Sequence, residues 1–166
     1  ALLIGSRSSK RRNASSASCA WGLAPPEPSG WYSKVGYTPR TYRRLSRPGG
    51  LVSYRVQVGE SDLTIWSTQE REQEAKRLLC QAREEIEEYI ARVPKFEDAL
   101  SPLPPDPSAS LLIQQMLEAG HRAGVGPMAA VAGAIAAFIG DRLPCPEVMI
   151  ENGGDLYLRI ARPRTI

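Results

Sequence analysis

A single histidine, His121, and three cysteines, Cys19, Cys80 and Cys145, are the whole supply of soft metal ligands in this 166-residue sequence. None of the cysteines forms a C-x-x-C pair, so the spacing of a zinc site is missing. The odd, scattered set also argues against a disulfide framework and fits a reducing compartment, hence a cytoplasmic protein. Cys80 falls on the apolar side of a helical pattern, where a thiol behaves as a small buried hydrophobe. Cys145 stands between Pro144 and Pro146, in a turn. His121 falls at the end of a helical segment. A lone histidine there reads as a C-terminal cap rather than a general base, which needs a positioned partner.

Long apolar runs are missing too. Spanning a bilayer takes roughly 18 consecutive apolar residues. The most apolar segment, 125–139, is interrupted by Gly126, Pro127 and Gly133 and is otherwise rich in alanine. It predicts a helix that packs closely on its neighbours, not one that enters a membrane. A surplus of one charge sign is missing from most of the chain. Four of the 21 bases and one of the 18 acids fall in residues 1–30, leaving seventeen of each in 31–166. A neutral body gives no support for nucleic-acid binding, which needs a basic face.

Residues 1–30 differ from the rest. They are rich in Ser, Arg, Ala and Pro and carry no periodic apolar pattern. That composition predicts a disordered or non-native leader. A secretory signal would place its bases before an apolar core, whereas Leu2–Ile4 precede Arg7, Lys10, Arg11 and Arg12. The Arg- and Ser-rich, acid-poor composition is shared with transit peptides.

From residue 31 onward, turn signals and periodicities alternate. RRLSRPGG, 43–50, is a basic turn. LVSYRVQVG, 51–59, alternates Val52, Tyr54, Val56 and Val58 against Ser53, Arg55 and Gln57, a half-buried strand. GESD turns the chain, and LTIWS, 63–67, alternates again with Trp66 on the opposite face, giving an antiparallel hairpin. Ser67 and Glu70 have the spacing of a capping box. Ala75, Leu78, Leu79, Ala82, Ile86, Tyr89 and Ile90 follow at helical spacing, predicting an amphipathic helix of about 25 residues that ends at Pro94. Glu84, Glu85, Glu87 and Glu88 on that helix read as a solvated face.

SPLPPDPS, 101–108, is a proline-rich loop. Ser108 or Ser110 caps a second helix, which is expected to break at Gly120. A third runs from about Pro127, favourable at N1, to Asp141. EVMIENGGDLYLRIA then reads as a strand, a Gly-Gly turn and a second strand. Strands, then helices, then a hairpin predict an α+β fold: an antiparallel sheet with packed helices.

Two strings carry the possibility of chemistry. GVGPM, 124–128, sets Gly124, Gly126, Pro127, Met128 and Ala129 at a helix start, where free N–H groups and the dipole favour an anion such as a phosphate. NGGD sets Asn152, Gly153, Gly154 and Asp155 in a turn with two residues suited to positive φ and an acid able to accept from a ligand hydroxyl or bind a cation. Each also has a plain structural explanation, since N-G is a common hairpin turn and small residues occur wherever a helix lies close on a sheet.

GVGPMAAVAGAIA and ENGGDLYL, with YTPRTYRRLSRPGGLVSYRVQVGESDLTI upstream, resemble the UPF0280 group of the ApbE-like superfamily over roughly residues 36–160. The resemblance implies a T-fold-like α+β domain. It also implies a flavin nucleotide, FAD or FMN, held by the two strings. The better-known relatives are FAD:protein FMN transferases, which use Mg2+ to move FMN from FAD to a threonine of an acceptor protein. Gly153, Gly154 and Asp155 match their G-G-D turn. Met128–Gly133 stands where they carry I-A-K-G, and holds no lysine. Their metal ligands lie largely in a last third of the domain, beyond the part matched here. The resemblance therefore implies the N-terminal two-thirds of such a domain, incomplete at the C-terminus and inactive alone, with Mg2+ expected in the full-length protein. The alternatives are a non-catalytic nucleotide- or flavin-binding protein and a scaffold without a ligand.

Overall fold

Alternation in 52–58 becomes strand β1, Val52–Val58, in which Tyr54 and Val56 are buried between exposed Ser53, Arg55 and Gln57. These are features of the computed structural model, which describes residues 49–161 and 163. The leader 1–30 and most of the basic turn lie outside the described residues. Gly49 and Gly50 close that turn, Gly50 at φ 79°. Strand β2, Ser61–Ser67, pairs antiparallel with β1 and, on its other side, with β3, Val148–Asn152. Strand β4, Asp155–Arg159, pairs with β3 through the Gly153-Gly154 turn. The sheet order is β1-β2-β3-β4, antiparallel throughout. The fold is α+β.

Register explains the burial. Tyr54, Ile65, Ile150 and Tyr157 lie side by side across the four strands, as do Val56 and Leu63. All point to the face covered by helices, since residues of equal parity share a face. Trp66 and Met149 point the other way and are buried as well, as expected of the two central strands.

The first helix, α1, spans Glu72–Arg92 and buries Ala75, Leu78, Leu79, Ala82, Ile86 and Tyr89 of the predicted stripe, with Ile90 half-buried. Its start differs from expectation. Ser67 is the last residue of β2, paired with both Val52 and Val148. Its hydroxyl contacts Tyr54 Oη at 3.1 Å and donates to the Gln69 carbonyl. Sheet pairing on both sides holds Ser67 four residues short of Arg71, the residue that caps the helix without a side-chain bond. The helix ends where Pro94 disfavours helical geometry for Val93. Pro94 then opens a one-turn helix, α2, Lys95–Asp98, pinned by fully buried Phe96.

Ser110 caps α3, Leu111–Ala123, by accepting from the Ile113 N–H. The predicted break at Gly120 does not occur. The helix continues to Ala123 and stops at Gly124, whose φ of 73° is the left-handed C-cap conformation. Gly120 stays helical because a bare Cα lets the Val125 carbonyl fold back, 2.8 Å from where a Cβ would sit. The predicted third helix is a 3₁₀ turn, Pro127–Ala130, followed by α4, Val131–Arg142. The chain bends by 106° between Leu111–Ala123 and Pro127–Arg142. Among the described residues, no single helix is long and apolar enough to cross a membrane.

Helix α4 packs on β3 and β4, and α1 on β1, with α3 behind them. One core joins the sheet and the helices through Leu63, Ile65, Leu79, Ile113, Met116, Ile139 and Ile150. Cys145 is free and buried, whereas Cys80, also buried, is disulfide-bonded, contrary to the expectation of unpaired cysteines.

Candidate functional site

The stretch Gly124–Ala129 is shaped by its glycines and proline into a tight passage between α3 and α4. The amides of Gly124, Val125, Gly126 and Ala129 are engaged within the protein. Gly124 N–H reaches the His121 carbonyl at 3.3 Å, Val125 the Gly120 carbonyl at 3.0 Å and Gly126 the Leu100 carbonyl at 3.1 Å. Pro127 has no N–H, and Ala129 N–H bonds the Gly126 carbonyl at 3.2 Å. Gly126 lies so near the chain after α2 that a Cβ would fall 1.6 Å from the Ala99 carbonyl oxygen. The predicted anion cradle is thus engaged internally over these residues, and Met128 is the member of the group that faces a cavity.

The turn Asn152–Asp155 docks on the first turn of α4. Asn152 Nδ2 donates to the Ala132 carbonyl at 3.0 Å. Gly153 lies beside Ala132, and Asp155 Oδ2 lies 3.4 Å from where a Gly133 Cβ would be. An acid at a helix N-terminal turn interacts favourably with the dipole, which gives Asp155 a structural role. Gly153 and Gly154 take φ of 63° and 104°, as the G-G turn predicts. Buried Glu151 accepts from the Gly154 N–H at 2.9 Å and holds the turn from below.

Between these pieces lies a cavity of about 400 Å³. Met128, Val131, Ala132 and Ile135 form an apolar wall, and Asn152 and Gly153 form one end. The far side comes from the β1–β2 turn, through Glu60 and Ser61, and from α1, through Arg83, Ile86 and Glu87. Arg83 is the one cation among the described lining residues. Its guanidinium donates to Ser61 Oγ at 3.1 Å, to Glu60 Oε2 at 3.1 Å and to Glu87 Oε1 at 3.4 Å. It lies over Gly59, at φ 55°, where a Cβ would approach it to 3.0 Å. The Glu60 carboxyl is held below its ordinary pKa, mainly by its own backbone N–H and further by Arg83, against the opposing effect of burial.

Of the predicted site residues, Met128, Asn152 and Gly153 are brought together in this cavity. Gly124, Gly126, Pro127, Ala129, Gly154 and Asp155 are not among its described lining residues. Sequence reasoning missed Arg83, Glu60 and Ser61. The signal for Glu60 and Ser61 was the GESD turn, treated only as a hairpin connection. The signal for Arg83 was a base beside the acidic run of α1. Among the described residues, no group of three or more His, Cys, Asp or Glu side chains is placed to hold a metal ion.

The geometry defines a two-layer α+β protein with a helix-covered antiparallel sheet and a half-apolar cavity where sheet turns and helices meet. Residues 43–166 match the family model described as AbpE bacteria, and the chain belongs to that family. Curated relatives carry the name UPF0280 protein. That of Methanosphaerula palustris is 45% identical over 95 residues, covering 55% of this chain and 40% of the relative. That of Methanopyrus kandleri is 37% identical over 113 residues, covering 68% and 46%. That of Archaeoglobus fulgidus is 34% identical over 113 residues, covering 66% and 48%. The chain therefore spans less than half the length of these relatives.

Proposed function

We propose that this chain forms the flavin-nucleotide site of an ApbE-like, T-fold-like protein, and that FAD or FMN enters the cavity between Met128, Asn152, Gly153 and Arg83. The observation that carries the reading is the cavity itself: about 400 Å³, with an apolar wall, Asn152 at one end, and Ser61, Arg83 and the carboxylates Glu60, Glu87 and Glu97 among the rest of its described lining. That size and division suit a ligand with a flat apolar ring and a polar tail, because ligand sites combine apolar lining with a few placed polar groups. The resemblance of GVGPMAAVAGAIA and ENGGDLYL to the ApbE-like superfamily supplies the flavin, and both strings contribute lining residues.

Binding without group transfer is the form of this reading that the chain favours. Met128–Gly133 reads M-A-A-V-A-G, with alanine where the transferases carry a lysine. Mg2+ and an acceptor protein rest on the resemblance alone, and no step through a metal is assigned to the residues described. The test is titration of FMN and FAD with the 166-residue chain, read by flavin fluorescence. Saturable quenching is expected, with its loss in Ala132→Phe, which fills the cavity. Unquenched flavin at every protein concentration would overturn the reading.

A further inference from the structure

Strand β4 pairs with β3 on one side, and among the described residues no strand pairs with its other side. Bonded and non-bonded pairs alternate along an antiparallel ladder, and the pair that closes a two-residue turn is bonded. Asn152–Asp155, Ile150–Tyr157 and Val148–Arg159 are therefore the bonded pairs. Leu156 and Leu158 turn their N–H and C=O groups to the free edge. Their side chains lie on the sheet face away from the helices, with Ile160 two residues further on. Leu156 and Leu158 are 45% and 44% exposed, and Ile160 is 38% exposed. Leu158 extends a row formed by buried Trp66 and Met149. On the same face β1 carries Ser53, Arg55 and Gln57 instead. Lysine, proline and bulges are the usual guards of a sheet edge, and the continuous strand D-L-Y-L-R has none of them.

The order D-L-Y-L-R is complementary to itself when reversed. A two-fold axis at Tyr157 sets Leu156 against Leu158 of the second copy and Asp155 against Arg159 of the second copy. The residues whose backbone groups face the edge then meet in bonded pairs, each exchanging both N–H···O bonds. The charges agree with that register. Among the described residues neither Asp155 nor Arg159 has an ion-pair partner in its own chain. The Arg159 guanidinium donates to the Leu143 and Cys145 carbonyls at 2.7 and 2.6 Å, which hold it at the strand end without neutralising it. Opposite charges facing each other across an antiparallel pair are favourable. The apolar row Trp66, Met149 and Leu158 would continue into Leu156 of the second copy.

We propose that the free edge of β4 binds a second copy of this chain, strand to antiparallel strand about Tyr157, joining the two sheets into one. Backbone pairing at Leu156 and Leu158 supplies the contact, the leucines cover each other on the outer face, and the Asp155–Arg159 pairs fix the register. The surface is separate from the cavity, which lies on the helix side of the sheet, so the inference stands apart from the flavin reading.

The experiment is sedimentation equilibrium of the 166-residue chain over about a hundredfold range of concentration, where mass action should raise the mass from one chain towards two. Residue-resolved hydrogen exchange accompanies it. The Leu156 and Leu158 amides should exchange fast in dilute protein and slowly in concentrated protein. Leu158→Lys should keep the mass at one chain throughout. Its urea midpoint in dilute solution should match that of the unsubstituted chain, because the side chain is exposed there. Asp155→Asn leaves both leucines in place and should weaken association by a few-fold, roughly the worth of exposed ion pairs. A mass of one chain at every concentration overturns the proposal. If the two amides are nevertheless protected, the edge is covered from within the chain. A dimer that survives Leu158→Lys, or leaves both amides exchanging fast, forms elsewhere and overturns it equally. Association unchanged by Asp155→Asn overturns the register about Tyr157.

Discussion

At Gly126 the backbone has no space for a methyl group, because the Ala99 carbonyl oxygen lies 1.6 Å from where the Cβ would be. Gly126→Ala must push the chain after α2 away from the 3₁₀ turn. Overpacking of this kind costs about 3 kcal/mol, and urea unfolding should show the loss in its midpoint. Gly154 is limited by conformation instead, with φ of 104° and open space around it. Gly154→Val should cost more than about 1 kcal/mol through backbone strain alone. The Gly-Gly turn was legible in the sequence because N-G-G between alternating apolar residues carries its own geometry. The closeness of Gly126 to Ala99 was not, since it depends on two segments far apart along the chain.

Phe96 anchors the one-turn helix α2. It is fully buried and meets Tyr89 edge-on at a centroid distance of 4.9 Å. A four-residue helix has no stability of its own, so this contact holds the passage from α1 into the proline-rich loop. Phe96→Ala should lose about 3–5 kcal/mol of stability, the usual cost of emptying an aromatic site, measurable by chemical denaturation. Periodicity revealed the hairpins and the long helices, where many residues repeat one signal. It failed where one residue decides. Ser67 has the spacing of a cap but serves the sheet, and Gly120 has the identity of a breaker but stays helical under a close carbonyl. Nothing local marks Phe96 as an anchor.

For the molecule as a whole, three tyrosines couple the fold to alkaline pH. Tyr54, Tyr89 and Tyr157 all have pKa values raised above the ordinary 10.0, burial being the largest cause in each. Neighbouring Asp106 and Asp141 add to the effect at Tyr89 and Tyr157. Above the ordinary value the unfolded chain loses these protons while the folded chain keeps them. Stability therefore falls as pH rises from about 10 towards the folded values. Urea midpoints compared at about pH 8 and about pH 11 should show the decline, and Tyr54→Phe should flatten it. Site legibility follows the same division between local and distant. Met128, Asn152 and Gly153 were readable from their own strings. Arg83, Glu60 and Ser61 joined them only through the packing of α1 beside the β1–β2 turn.

The cavity walls run from Glu60 to Gly153 along the chain. A nascent polypeptide that has not yet added β3 to the sheet has no binding surface to offer, and neither does a chain in which α1 has detached. Whatever occupies the cavity bridges the first hairpin, the longest helix and the last hairpin at once, and so selects only the fully assembled state. Ligand-dependent resistance to proteolysis should accordingly appear together across 52–159, as one cooperative block rather than as a locally protected loop.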